Sequence, residues 1–143
     1  MRIRPSLLVL ILSFPVTLLG TQRPSDSDIR ALVQANMRAT EAGELAALLE
    51  TIHPDSLATP QMEGGLQALA AYKLSFDAPS VEFVGMSGEY ALIRVVQRTS
   101  RVSGPDFLDN EIDGIWALRL DGKKWKYWTQ MNLEMRSLAP MNQ

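Results

Sequence analysis

Two rhythms of apolar residues divide the chain. From Asp26 to about Gly43 the spacing is helical. Ile29, Leu32, Val33, Asn36, Met37 and Thr40 fall on one side, Ser25 or Asp26 can cap the helix, and Asp28 stands in a first turn that favours negative charge. Glu44 opens a second, shorter helix with Leu45, Leu48, Leu49 and Ile52 as its stripe and Pro54 as its stop. Thr59-Pro60 opens a third, with threonine as cap and proline at the first helical position. Leu66, Leu69, Ala70 and Tyr72 or Lys73 carry it onward, while Gly64 and Gly65 weaken its start by about 1 kcal/mol each relative to alanine.

After Phe76 the rhythm becomes alternating, which predicts four strands. They run over Val81–Met86, Tyr90–Val102, Phe107–Leu120 and Trp125–Met135, with Ser87-Gly88, Ser103-Gly104-Pro105-Asp106 and Asp121-Gly122 as the breaks. Helices first and an antiparallel meander after them define an α+β domain. Asp121-Gly122 is the strongest turn signal, and as a two-residue loop it sets a register. Leu118 then faces Trp125, Trp116 faces Tyr127, Gly114 faces Thr129 and Ile112 faces Met131 on an apolar face that lines the interior. The other face holds Ile115 with Trp128, Asp113 with Gln130 and Glu111 with Asn132. Ala91, Ile93 and Val95 extend the inner row, and Arg94 and Arg98 pair with Glu111 and Asp113 across the outer one.

The N-terminus changes the compartment that this domain is expected to occupy. Arg2 and Arg4 precede an apolar run, Leu7–Leu19, that is short for a bilayer span, the pattern of an export signal. The expected organisation is a signal over 1–20, a linker over 21–25, one domain over 26–138 and a tail over 139–143. The product is exported, periplasmic or secreted, or membrane-anchored where the signal stays uncleaved. Removing Arg2 and Arg4 from the 14 basic residues leaves 12 against 16 acidic ones, a net charge of −4. An acidic domain without a basic run is a poor nucleic-acid partner. The absence of cysteine excludes disulfides, thiol nucleophiles and cysteine-bound zinc, so packing alone holds the domain. A single histidine builds no ordinary zinc site, and no cofactor motif occurs, so neither a metal nor a cofactor is expected.

The order helix, helix, "IHPDS", helix, then a long meander ending in "WKYWTQMNLE", resembles the nuclear transport factor 2-like superfamily, which includes SnoaL-like cyclases and ketosteroid isomerase. The resemblance implies a cone: helices closing over a strongly curved sheet, with a pocket at the wide end. It also implies that two copies pair through the outer sheet face. There Leu92, Val96, Ile115 and Trp128 mix apolar anchors with complementary charges, which makes a homodimer the expected assembly.

Against that frame, the candidate catalytic residues are His53, Tyr90, Asp113 and Tyr127. His53 suits a general base with Asp55 orienting it, and the tyrosines suit oxyanion donors. The plainer account makes His53 a loop residue and the tyrosines amphipathic core. A bulge at Asp113-Gly114 would be needed to turn Asp113 inward. Tyr72, Trp116, Trp125, Tyr127 and Met131 are the expected ligand-binding wall. Three readings follow: a domain binding a small apolar or amphipathic molecule or another protein without catalysis, a cofactor-free isomerase, dehydratase or cyclase, and a structural module with a filled core.

Overall fold

A computed structural model of the chain describes residues 20–138. The expected export signal, apart from Gly20, and the tail 139–143 lie outside the described residues. Helix α1 spans Asp26–Ala42, α2 Leu45–Glu50 and α3 Thr59–Ala68; strands β1 Lys73–Ser87, β2 Tyr90–Ser103, β3 Asn110–Asp121 and β4 Lys124–Ser137 form one antiparallel sheet in the order β1-β2-β3-β4. This is the α+β arrangement that the alternating pattern predicts, three helices on a curved sheet. Among the described residues no helix is long and apolar enough to cross a membrane.

Ser25 caps α1, its hydroxyl accepting from the Asp28 N–H at 3.1 Å, and the helix buries Ile29, Val33, Asn36 and Met37. The segment before it is also packed: Pro24 is buried and the Arg23 guanidinium lies 4.0 Å from the Phe83 ring centre. Helix α2 ends at Glu50, before Pro54, because the Thr51 hydroxyl donates to the Leu48 carbonyl at 2.6 Å. Ile52 is thereby released to bridge Tyr127 of β4. Helix α3 begins at Thr59 with Ala58 in the cap position, so Thr59 does not serve as cap. Ser56 fastens that start instead, accepting from the Ala58 N–H at 3.1 Å and donating to the Trp128 carbonyl at 2.5 Å.

Strand β1 begins at Lys73, eight residues before the expected start, and includes Phe76. The alternation there is hidden by an irregularity between Asp77 and Ser80, where Pro79 supplies no N–H to the ladder. Strand β3 begins at Asn110, after Phe107, since Asp109 is occupied by the Arg101 N–H and the Leu138 N–H.

Both tight hairpins turn one residue later than expected. Ser87 pairs with Tyr90 and Asp121 with Lys124, so the loops are Gly88-Glu89 and Gly122-Lys123. Each glycine has positive φ (57° and 60°) and, among the described residues, no other residue type does, the pattern of a glycine-first turn. The register of β3 with β4 therefore moves by two: Leu118 pairs with Tyr127 and Leu120 with Trp125. An even shift preserves the faces, so Trp116, Leu118 and Tyr127 remain inward with Ala91, Ile93 and Val95, and all six are buried.

Beyond Tyr127 the alternation breaks. Trp128 is an extra residue between the pairs Leu118–Tyr127 and Ala117–Thr129, and Leu133 is another between Gly114–Asn132 and Asp113–Glu134. Ile115 consequently faces Met131 in place of Trp128, and Asp113 and Glu111 face Glu134 and Arg136. Met131, expected inside, lies on the outer face and is 60% exposed.

Candidate functional site

The inner face of the sheet and the three helices enclose a cavity of about 210 Å³. Trp116 of β3 forms its floor, buried and packed edge-on against Tyr127 with ring centres 5.2 Å apart. Leu48 of α2, Met62 and Leu66 of α3 and Phe76 of β1 add apolar wall. The polar groups are four amides, Asn36 from α1, Gln61 from α3, Gln97 from β2 and Gln130 from β4, and the Thr40 hydroxyl of α1, which donates to the Asn36 carbonyl at 2.9 Å.

Each amide is placed by local structure. Asn36 sits within the apolar stripe of α1, buried, with its Nδ2 donating to the Thr51 hydroxyl at 2.8 Å. Gln97 continues the inward row Ala91, Ile93, Val95, and its Nε2 reaches the Thr99 hydroxyl at 3.4 Å. Gln130 pairs with Trp116 across the ladder because of the Trp128 bulge, and its Nε2 reaches Asn132 Oδ1 at 3.3 Å. Gln61 stands exposed at the mouth on α3. The lining contains no carboxylate, histidine, lysine, arginine or tyrosine. Such a site offers hydrogen bonds and apolar contact, and it has no group able to exchange a proton near neutral pH.

The expected site residues are distributed elsewhere. Of Tyr72, Trp116, Trp125, Tyr127 and Met131, the cavity lining includes Trp116 alone. Tyr127 lies behind Trp116, and burial pushes its hydroxyl up to about 12. Tyr72 borders a separate hollow beside the end of α1 and packs edge-on against Phe107. Trp125 floors a groove between α1, α2 and the β3–β4 turn, with Lys123 and Lys124 on its rim.

The catalytic candidates are also outside. His53 is buried where the loop after α2 meets β4: its backbone N–H donates to the Tyr127 carbonyl at 2.8 Å and its Nδ1 accepts from the Asp55 N–H at 3.1 Å. Its ring meets Trp128 edge-on at 5.4 Å, Tyr90 meets the same indole at 6.0 Å, and the Arg119 guanidinium lies 4.9 Å from it. Arg119 in turn pairs with Glu89 at 3.0 Å and Asp55 at 3.5 Å. This assembly ties the loop to the outer face, and of its members Trp128 borders a small hollow with Leu57, Ala58, Gln61 and Thr129. Asp113 stays outward despite the nearby bulge, because the extra residue belongs to β4; Arg94 holds it at 2.5 and 2.9 Å and keeps its carboxyl below the usual range. Glu111 accepts from Arg98 and from Arg136, which lower it likewise. Glu111 is buried, with both carboxylate oxygens taken by those two guanidiniums.

No residue of the amide set belongs to a recognised motif. The available signal was positional: Asn36 interrupts an apolar helix stripe and Gln97 an apolar strand row.

Three helices, a curved four-stranded sheet and a cavity between them define a cone fold of the nuclear transport factor 2-like, or cystatin-like, class. Solved structures agree on the fold. A protein of unknown function with a cystatin-like fold from Nostoc punctiforme is 11% identical, over 80% of this chain and 93% of that one, with a TM-score of 0.63. A nuclear transport factor 2-like protein with a cystatin-like fold from Novosphingobium aromaticivorans is 16% identical over 74% and 79% (TM-score 0.60). The beta subunit of benzoate 1,2-dioxygenase from Burkholderia mallei is 12% identical over 78% and 91% (TM-score 0.60). Within that class, residues 31–138 match the family described as anti-sigma-I factor RsgI9, C-terminal domain, and the chain belongs to this family. No curated protein matches it.

Proposed function

We propose that the chain is an exported binding module that takes a small, uncharged molecule into the cone and performs no chemistry on it. The observation that carries this reading is the cavity lining, four amides around an indole with no titratable side chain. Burying an ionised ligand there would leave its charge unpaired, whereas amides satisfy a carbonyl, hydroxyl or amide of the ligand. The family, described as the C-terminal domain of an anti-sigma-I factor, supports a module of this type more than an enzyme. The Arg2/Arg4-flanked apolar run supports export. Acid–base catalysis has less support: His53, Tyr90 and Asp113 are engaged in contacts outside the cavity.

The test is calorimetric titration with small aromatic amides and with carboxylates of the same skeleton. The amides bind and the carboxylates do not, and Trp116→Ala abolishes the binding. Preference for the carboxylates, or no binding of any amide, sinks the proposal.

A further inference from the structure

Strand β4 changes character at Trp128. Before that point its free edge is covered. Ile52 bridges Tyr127 in parallel, the His53 N–H donates to the Tyr127 carbonyl and the Tyr127 N–H to the Thr51 carbonyl, each at 2.8 Å. Ser56 then takes the Trp128 carbonyl, and Pro54, which has no N–H, lies where the loop turns away. Beyond it, every residue from Thr129 to Ser137 is exposed and β4 is the margin of the sheet. Met131, Leu133 and Met135 are 60%, 52% and 63% exposed there. Apolar edges are ordinarily blunted by charges, above all lysine, by proline or by bulges; this stretch contains neither lysine nor proline, and its bulge at Leu133 and charges Glu134 and Arg136 leave Met131, Leu133 and Met135 exposed.

We propose that a second copy of this chain covers the edge, the two β4 strands pairing antiparallel about a two-fold axis at Met135 so that two four-stranded sheets become one. The bulge at Leu133 leaves Glu134–Ser137 in regular alternation. Glu134 and Arg136, opposite Asp113 and Glu111, share the outer face, and Met135, opposite Ile112, takes the inner one. Pairing centred on Met135 keeps each residue on its own face. It sets Met135 against its twin and Glu134 against Arg136 of the partner subunit, twice by symmetry.

The charges fit this occupant. Glu134 forms no direct salt bridge among the described residues and has only the field of Arg136 in its own chain, while Glu111 has two guanidiniums, Arg98 and Arg136. Arg98 can retain Glu111 while Arg136 also serves Glu134 of the partner subunit. A dimer through the broad outer face has no comparable advantage, since Arg94 with Asp113 and Arg98 with Glu111 already close within one chain.

The chain has no cysteine, so a single introduced thiol reports on the axis. Mild oxidation of Met135→Cys gives a disulfide dimer, because twin positions on paired antiparallel strands fall within disulfide reach; Leu92→Cys on the outer face does not. In sedimentation at tens of micromolar the wild type is a dimer, and Glu134→Lys, with unchanged circular dichroism, is a monomer. A wild-type monomer, a Glu134→Lys dimer as tight as wild type, failure of Met135→Cys to cross-link, or cross-linking through Leu92→Cys would each overturn the proposal. Met135 does not line the cavity, so these outcomes are independent of ligand binding.

Discussion

The two faces of the sheet use opposite chemistry. On the inner face, Trp116, Leu118 and Tyr127 are surrounded by apolar side chains, and the polar groups that reach the cavity are uncharged, four amides and the Thr40 hydroxyl. On the outer face, Arg94, Arg98 and Arg136 hold Asp113 and Glu111, and Arg119 lies over Trp128 with His53 and Tyr90 beside it. Residues that attract attention as acids, bases and cations are thus the fastening of the fold, while the residues free to meet a ligand are chemically quiet. The contrast follows from solvation. A charge on the outer face keeps water or a counter-charge within reach, and one turned into the cone would have neither.

The largest test of this contrast is Trp116→Ala. It removes a buried indole and its edge-on contact with Tyr127, and the expected loss is about 3–5 kcal/mol in denaturant unfolding, together with the ligand site. A loss below about 1 kcal/mol would mean that the floor is not packed core. Tyr127 gives a second large effect, visible with pH. Its hydroxyl ionises near 10 when unfolded and is pushed up to about 12 when folded. Its contribution is therefore complete below about pH 10 and lost as pH rises towards 12, an amount of about 2–3 kcal/mol. Tyr127→Phe should flatten that alkaline limb, and an unchanged limb would assign it to other groups.

His53→Ala tests the outer side. It removes the acceptor of the Asp55 N–H and the edge contact with Trp128, and the expected cost is about 1–3 kcal/mol with ligand affinity unchanged. Loss of affinity without loss of stability would return His53 to a direct role at the site.

The fold was legible where local physics decides it and hidden where distant contacts do. The α1 stripe, the Ser25 cap and the inward row Ala91, Ile93, Val95 follow from spacing alone. Both turns fall one residue later than the pattern predicts, because Gly88 and Gly122 take the first central position and not the second. That difference was harmless to the faces, the register shift being even. The Trp128 bulge was not, and it moved Met131 out and Gln130 in. Its fastening involves Ile52, His53 and Ser56, from a loop remote in sequence, so no pattern within β4 announces it. The cavity amides are hidden for another reason: they match no motif, polarity at an inward position marks only Asn36 and Gln97, and Gln130 turns inward only through the Trp128 bulge.

The outer carboxylates predict a weaker response at acid pH. Glu111, held chiefly by Arg98 and then Arg136, and Asp113, held by Arg94, both ionise below their usual range when folded. Their stabilisation is present above the unfolded value near pH 4 and is lost as pH falls through the depressed folded values. Salt should soften the limb, because both pairs lie at the surface of the molecule. Glu111→Gln with Asp113→Asn should remove much of the acid limb and leave the Tyr127 limb intact. An acid limb unaltered in that double variant would show that these pairs are passive.

The smallest effect on stability is the most informative about the site. Gln130 reaches the cavity mouth from an exposed edge position, with Asn132 as its hydrogen-bond partner in the strand. Gln130→Leu replaces the amide by an apolar group of similar size, so unfolding should change by no more than about 0.5 kcal/mol. Affinity for an amide ligand should fall by roughly tenfold, the value of about one hydrogen bond, while a purely apolar analogue binds as well or better. Equal losses for both ligands would mean that Gln130 shapes the mouth without hydrogen-bonding the ligand. No loss for either would move the polar recognition inward, to Asn36 and Gln97 beside Trp116.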